Sequence, residues 1–223
     1  MMQVQETSDR LREAKQAMYQ EHILDIAEEV FAELGYEGTQ VKLVASRAKI
    51  SLSTLYSHFS NKMALYRAVH ARRLDALMGE LSGVGLEFSC PLEQMLAGMG
   101  GYITFHMQHP NYLKMHLREG NAWSEADGLY SPEQLTNWQK GLERMAGTFK
   151  AGMKAGLFVK DDPMLAARTT NAMHQVALSH WVEGGMRMKS EKLLSRVHAQ
   201  FIRTFCRPGK VVELLEVHGL EVA

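Results

Sequence analysis

An all-α protein in two parts is what this sequence predicts, and three observations carry the prediction. Apolar residues recur at three- and four-residue spacing along most of the chain, strand-like alternation is nowhere sustained, and only five prolines interrupt 223 residues. That length fits one large domain or two modest ones with a real core. A composition of 46% hydrophobic and 22% charged residues is ordinary for a globular protein. No apolar run approaches the ~18–20 residues of a membrane span, and residues 1–12 lack the apolar region of a signal peptide. Cys90 and Cys206 are too few for a disulfide scaffold or zinc site. The expectation is a soluble, cytoplasmic protein with no membrane association, cofactor or metal.

About nine helices follow in order. Ile23, Ile26, Ala27, Val30, Phe31 and Leu34 mark the apolar face of the first, which Gly35 stops. Thr39 suits the N-cap of a short helix over 40–48, and Ser51 that of a third over 52–58. Ser60 or Asn61 can start a fourth, running to about Leu81. Helices are expected over 92–108 and 112–119. Ser131-Pro132-Glu133-Gln134 reads as a capping box with proline at the first helical position, opening a stripe of Leu135, Trp138, Leu142, Met145, Phe149 and Met153. Asp162-Pro163 opens a helix to about Glu183. Ser190 is expected to cap the last, with Leu194, Val197, Phe201, Ile202 and Phe205 on one face, and a tail of undefined structure occupies 208–223.

The charge is unevenly placed in this neutral chain. Between Glu37 and Asp75 there is no acidic residue, while Lys42, Arg47, Lys49, Lys62, Arg67, Arg72 and Arg73 give that window a charge of +7. The preceding helix is the reverse, with Glu21, Asp25, Glu28, Glu29, Glu33 and Glu37. A one-signed window is the footprint expected of a phosphate-binding face, although a solvated helix face reads the same way. Inside it, residues 40–59 have the layout of a helix-turn-helix, in which the second helix enters the major groove. Val41, Val44, Ala45, Ile50, Leu55 and Phe59 suit packing between the helices, leaving Ser53, Thr54, Tyr56, Ser57 and His58 exposed to reach phosphates or base edges.

With its flanks, this segment resembles the tetracycline-repressor (TetR) family of transcription regulators. The resemblance rests on residues 22–41 (HILDIAEEVFAELGYEGTQV), 44–51 (VASRAKIS) and 53–65 (STLYSHFSNKMAL), including Thr54-Leu55-Tyr56, His58-Phe59 and Lys62-Met63-Ala64-Leu65. It implies a DNA-binding domain over 17–77, a helical ligand-binding and dimerisation domain over 78–207, and a tail over 208–223. It implies a homodimer that binds double-stranded DNA at a palindromic operator, as a repressor released by a small hydrophobic effector. Residue by residue, it makes Tyr56 and Lys62 phosphate anchors, turns Thr54, Ser57 and His58 to the groove, and sets Ser53 and Lys42 near the backbone. Lys49 stands where the family turn commonly has glycine, at a cost of ~1 kcal/mol if its φ is positive.

Beyond residue 77 only the helical architecture is similar. The last two helices, with Met173, Val176, Ala177, His180, Trp181 and Gly184 on one and Leu194 to Phe205 on the other, suit burial within the chain or against a twin; the resemblance favours the twin. Ten of fifteen methionines lie between Met95 and Met188, with Tyr102, Phe105, Trp123, Tyr130, Trp138, Phe149 and Trp181 among them. These side chains suit an adaptable apolar cavity or a plain helical core. Tyr102, His106, Trp138, Met145, Met173 and His174 are the expected lining, with His116 another polar candidate. His106 and His109 lie three residues apart, but no carboxylate or cysteine joins them, so no metal site is expected. A helical ligand-binding protein or an enzyme is the rival reading. It lacks any P-loop, nucleophile elbow, HExxH or dinucleotide fingerprint to support it.

Overall fold

The computed structural model describes residues 2–118 and 131–221, and among these the chain is helical with no strand beyond an isolated bridge between Phe158 and Cys206. Ten α-helices run in order: α1 (Met2–Gly38), α2 (Val41–Arg47), α3 (Leu52–His58), α4 (Lys62–Leu81), α5 (Pro91–Gln108), α6 (Pro110–Arg118), α7 (Pro132–Lys154), α8 (Pro163–Glu183), α9 (Ser190–Phe205) and α10 (Val211–Val217). Expected features at Glu119, Trp123 and Tyr130, and the side chain of Gln134, lie outside the described residues.

Local chemistry sets most boundaries. Ser51 Oγ accepts from the Thr54 amide at 3.0 Å, Asn61 Oδ1 from Ala64 at 2.8 Å, and Asp162 Oδ1 from Leu165 at 2.8 Å, capping α3, α4 and α8. Gly35 breaks α1 with φ 73° and ψ 173°, a conformation that glycine alone adopts readily. A β-carbon there would stand 3.3 Å from Arg118 Nη1. Leu34, just before the break, is 44% exposed and leaves the apolar stripe.

Four expectations need correction. Thr39 does not cap α2, because its hydroxyl turns back to donate to the Gly35 carbonyl at 2.7 Å; Gln40 is the N-cap. Ser190 is the first residue of α9, with Lys189 before it as an N-cap that makes no side-chain bond. Helix α1 starts at Met2, ahead of any apolar stripe that would announce it, and residues 14–22 ride exposed. The tail contains α10, which buries Leu215 against the carboxy-terminal core.

Three clusters of buried side chains organise the molecule. The first gathers Ile23, Ala27, Val30 and Phe31 of α1, Val44 and Ala45 of α2, Leu55 of α3, Phe59, and Leu65, Tyr66 and Val69 of α4. The largest joins α5 and α7–α10 around Met99, Ile103, Phe149, Phe158, Leu178 and Phe201. A small cluster between them holds Leu74, Leu77 and Leu81 with Phe105 and Tyr112. Helix α4 therefore passes from one core towards the other without a break at residue 77. The nine-residue α6 touches all three clusters, through Met115, Leu113 and Tyr112 respectively.

Candidate nucleic-acid interface and cavity

The helix-turn-helix is built as its apolar pattern demands. Val44, Ala45 and Leu55 are buried, Phe59 closes the end of α3, and Val41 and Ile50 pack partly buried beside them. Ala45 lets the helices cross closely, and the Ile50 amide closes the turn on its carbonyl at 3.0 Å. Lys49 adopts φ 56°, the left-handed conformation that the family's glycine would take without cost. Burial of Ala45 and Ala48 before the turn and of Leu55 after it holds the lysine there.

Ser53, Tyr56 and Ser57 are exposed on α3, with Thr54 and His58 partly so, and Lys42 is exposed on α2. All six are at least partly accessible at the surface of the helix pair. Three of its hydroxyls meet: Ser51 Oγ lies 2.8 Å from Ser53 Oγ and 2.7 Å from Thr54 Oγ1. Ser57 Oγ donates to the Thr54 carbonyl at 2.7 Å, which leaves its lone pairs outward as acceptors.

Lys62 is placed differently. Its Nζ donates to the carbonyls of Tyr36 at 2.7 Å, Thr39 at 3.3 Å and Glu37 at 3.4 Å, and lies 4.3 Å from the centre of the Tyr36 ring. An ammonium has three N–H groups, and all three have protein acceptors here. The side chain ties the start of α4 to the end of α1; the phosphate contact that the resemblance assigned to it is not prepared in this arrangement.

Three of the seven cations in the +7 window pair with the acidic helix before it. Arg47 makes a paired contact with Glu33 at 2.9 and 2.8 Å, which holds that carboxyl below its ordinary range. Arg72 reaches Glu21 at 3.1 Å, Asp25 at 2.7 Å and Glu28 at 3.0 Å, and Arg73 reaches Glu28 at 2.7 Å. The two charge blocks that looked opposite in sequence form one clamp between α1 and α4.

A cavity of about 210 Å³ lies between α4, α5, α6, α7 and α8. Of the six expected lining residues, Tyr102, His106, Trp138, Met145 and His174 line it. Met173 does not; it packs against the carboxy-terminal core, one residue round α8 from His174. Sequence reasoning missed Leu74 and Leu77 of α4, which had been assigned wholly to the amino-terminal domain, and Tyr112 of α6. The i, i+4 spacing of Tyr112 with His116 was the available signal.

Apart from the exposed Arg144, the described polar wall of the cavity is uncharged. His174 and His106 are buried and desolvated, which pulls their pKa values to about 3 and about 4. His116 falls well below the ordinary imidazole range for the same reason, and burial pushes Tyr102 and Tyr112 upward. His106 Nδ1 bonds the Tyr102 carbonyl at 2.9 Å, whereas His174 Nε2 has no hydrogen-bond partner among the described residues. Among those residues no group of three metal-ligating side chains is assembled.

Ring contacts connect this cavity with the amino-terminal core. Tyr36 meets Tyr66 at 5.0 Å, Tyr66 meets His70 at 4.6 Å, and His70 meets Tyr112 at 5.5 Å. Tyr112 meets His106 at 5.9 Å, His106 meets Tyr102 at 4.3 Å, and Tyr102 stacks on His174 at 4.9 Å.

Residues 23–69 match the family described as bacterial regulatory proteins, tetR family. The chain is 28% identical over 148 residues to the A-factor receptor protein of Streptomyces griseus, a match covering 66% of this chain and 49%, about half, of that receptor. It is 29% identical over 167 residues to the HTH-type transcriptional repressor KstR2 of Rhodococcus jostii (strain RHA1), covering 73% of this chain and 79% of the repressor. In fold it is similar to AibR, whose crystal structure is in complex with isovaleryl coenzyme A and operator DNA. The TM-score is 0.69 at 20% identity, with 82% of this chain and 97% of that chain covered. Among the described residues no helix is long and apolar enough to cross a membrane.

Proposed function

We propose that this chain, whose residues 23–69 match the tetR family of bacterial regulatory proteins, is a ligand-responsive transcriptional repressor that binds a two-fold symmetric operator as a homodimer. The α3 helix enters the major groove of each half-site, with Thr54, Ser57 and His58 towards base edges and Lys42, Ser53 and Tyr56 towards phosphates. A small, largely apolar effector occupies the cavity and favours a state whose recognition helices no longer match the half-site spacing. An effector with a few kcal/mol of differential affinity for the two states suffices. AibR, with its coenzyme A thioester and its operator, supplies the precedent for a fold that serves both partners.

The observation that carries this reading is the placement of α6. Tyr112 and His116 face the cavity, while Met115 of the same helix is buried in the core beneath the helix-turn-helix. A molecule that displaces the first two must move the third.

Genomic fragments captured by the purified chain would be tested by fluorescence anisotropy against random DNA. A palindromic site bound at least a thousandfold more tightly than random sequence supports the reading, and equal binding of both overturns it. Ser57→Ala should then cost about 1–3 kcal/mol on that site and leave random DNA unaffected, with the salt dependence preserved.

A further inference from the structure

Resting on the sensor reading above, we propose that the cavity selects an uncharged, oxygen-bearing apolar molecule, an alcohol or ketone, whose oxygen hydrogen-bonds to His174.

Size comes first. An apolar cavity of ~150 Å³ holds a benzene molecule, so the present volume of about 210 Å³ suits roughly ten heavy atoms. Leu74, Leu77, Met95, Met99 and Met145 supply apolar wall on several sides, which fixes the bulk of the ligand as hydrocarbon.

Charge comes next. Among the described residues no carboxylate lines the cavity, so none offers a cationic ligand a counter-ion. Among the same residues Arg144 is the one cationic side chain in the lining, and it is exposed. An anion at the inner wall would face neutral imidazoles and phenols, with desolvation opposing it.

The decisive feature is His174. It is 2% exposed, lies against the cavity, and its Nε2 has no partner among the described residues. A buried polar atom of this kind is rare, and a ligand oxygen that reaches it through a small shift of the neighbouring side chains satisfies it. A neutral imidazole nitrogen is a donor in one tautomer and an acceptor in the other, so a hydroxyl suits both and a ketone suits the first. Stacking of the ring on Tyr102 at 4.9 Å fixes its direction and so where a ligand oxygen bonded to it must lie.

Four probes on one carbon frame test the proposal: butylbenzene, 4-phenylbutan-2-ol, 4-phenylbutan-2-one and 4-phenylbutanoate, titrated calorimetrically into the full chain. The alcohol or ketone should bind about tenfold more tightly than the hydrocarbon, as one well-made hydrogen bond provides, with the carboxylate weakest. In the unmodified protein the His174 side-chain ¹⁵N resonance should move with the oxygen-bearing probes and stay put with butylbenzene. His174→Leu should abolish the preference while retaining the hydrocarbon. Equal binding of hydrocarbon and alcohol, tightest binding of the carboxylate, an unmoved His174 resonance, or no binding of any probe at millimolar concentration overturns the proposal. Alcohol binding that leaves operator affinity unchanged would sink the sensor reading and keep this one; operator release by the carboxylate alone would do the reverse.

Discussion

In the amino-terminal core the buried carboxylate of Glu28 meets Arg72 at 3.0 Å and Arg73 at 2.7 Å, whereas in the carboxy-terminal half buried His174 keeps a nitrogen with no partner among the described residues. Both regions are helical, and both bury a group that prefers water. The first surrounds it with opposite charge and becomes a fixed platform for α3. The second suppresses the charge, keeps about 210 Å³ of space beside the group, and becomes a place for something else to bind. Unsatisfied polarity beside a void is what the proposed receptor half has and the scaffold half lacks.

Acid separates the two halves most strongly. The folded pKa values of His70, His106 and His174 lie near 3, 4 and 3, below the ordinary 6.5. Between those values the unfolded chain takes up protons that the folded chain refuses. Stability is therefore full above pH 6.5 and falls as the pH falls, at about 1.4 kcal/mol per pH unit for each histidine and about 4 for the three together. Urea denaturation from pH 7.5 to 5.0 should show that slope, with amides of α5 and α8 exchanging before those of α1. A flat profile would mean that these imidazoles are not buried neutral.

The next effect is Glu28→Ala. Removing the shared carboxylate strands two guanidinium groups, so the loss should approach about 3 kcal/mol, measured by denaturation at pH 7.5. A loss below 1 kcal/mol would place the clamp among ordinary surface pairs.

Lys62→Met follows. Three charge-assisted donations to the end of α1 disappear, at about 2 kcal/mol of stability. The slope of log affinity against log salt on DNA should remain, because this ammonium is already engaged by carbonyls. A slope lower by about one unit per half-site would instead make Lys62 a phosphate contact after all. The smallest effect is Lys49→Gly, which removes the strain of φ 56° and should stabilise the head by up to about 1 kcal/mol. A destabilised variant would show that the lysine side chain makes a contact worth more than the strain.

Much of this was legible in the sequence because the determinants are local. Ser51, Asn61 and Asp162 announce their helices through hydrogen bonds that span three residues, and the apolar positions of residues 41–59 name their own packing faces. The strained turn was legible at Lys49 for the same reason. Five of the six residues named for the cavity line it, because methionines and aromatics concentrate in that stretch, yet Leu74 and Leu77 were missed because α4 serves two cores and nothing in its sequence marks the change. The carbonyl partners of Lys62 were not legible because they belong to residues 36–39, more than twenty positions away. The charge blocks misled for a related reason: a sequence shows the sign of a residue but not which opposite sign folds onto it.

Helix α6 has a consequence for anyone who wishes to transplant this sensor onto another DNA-binding head. A splice at residues 77/78 would cut α4 between Leu77 and Leu81, which share one cluster. It would also carry α6 away from the core that receives Met115, from the Glu33 carbonyl that accepts from Arg118 at 3.0 Å, and from Gly35, whose missing β-carbon makes room for that arginine. A graft that keeps its switching must therefore bring a matched pair, α6 from the donor and an α1 whose last turns were shaped for it, so that the heritable module of this protein is a joint and not a domain.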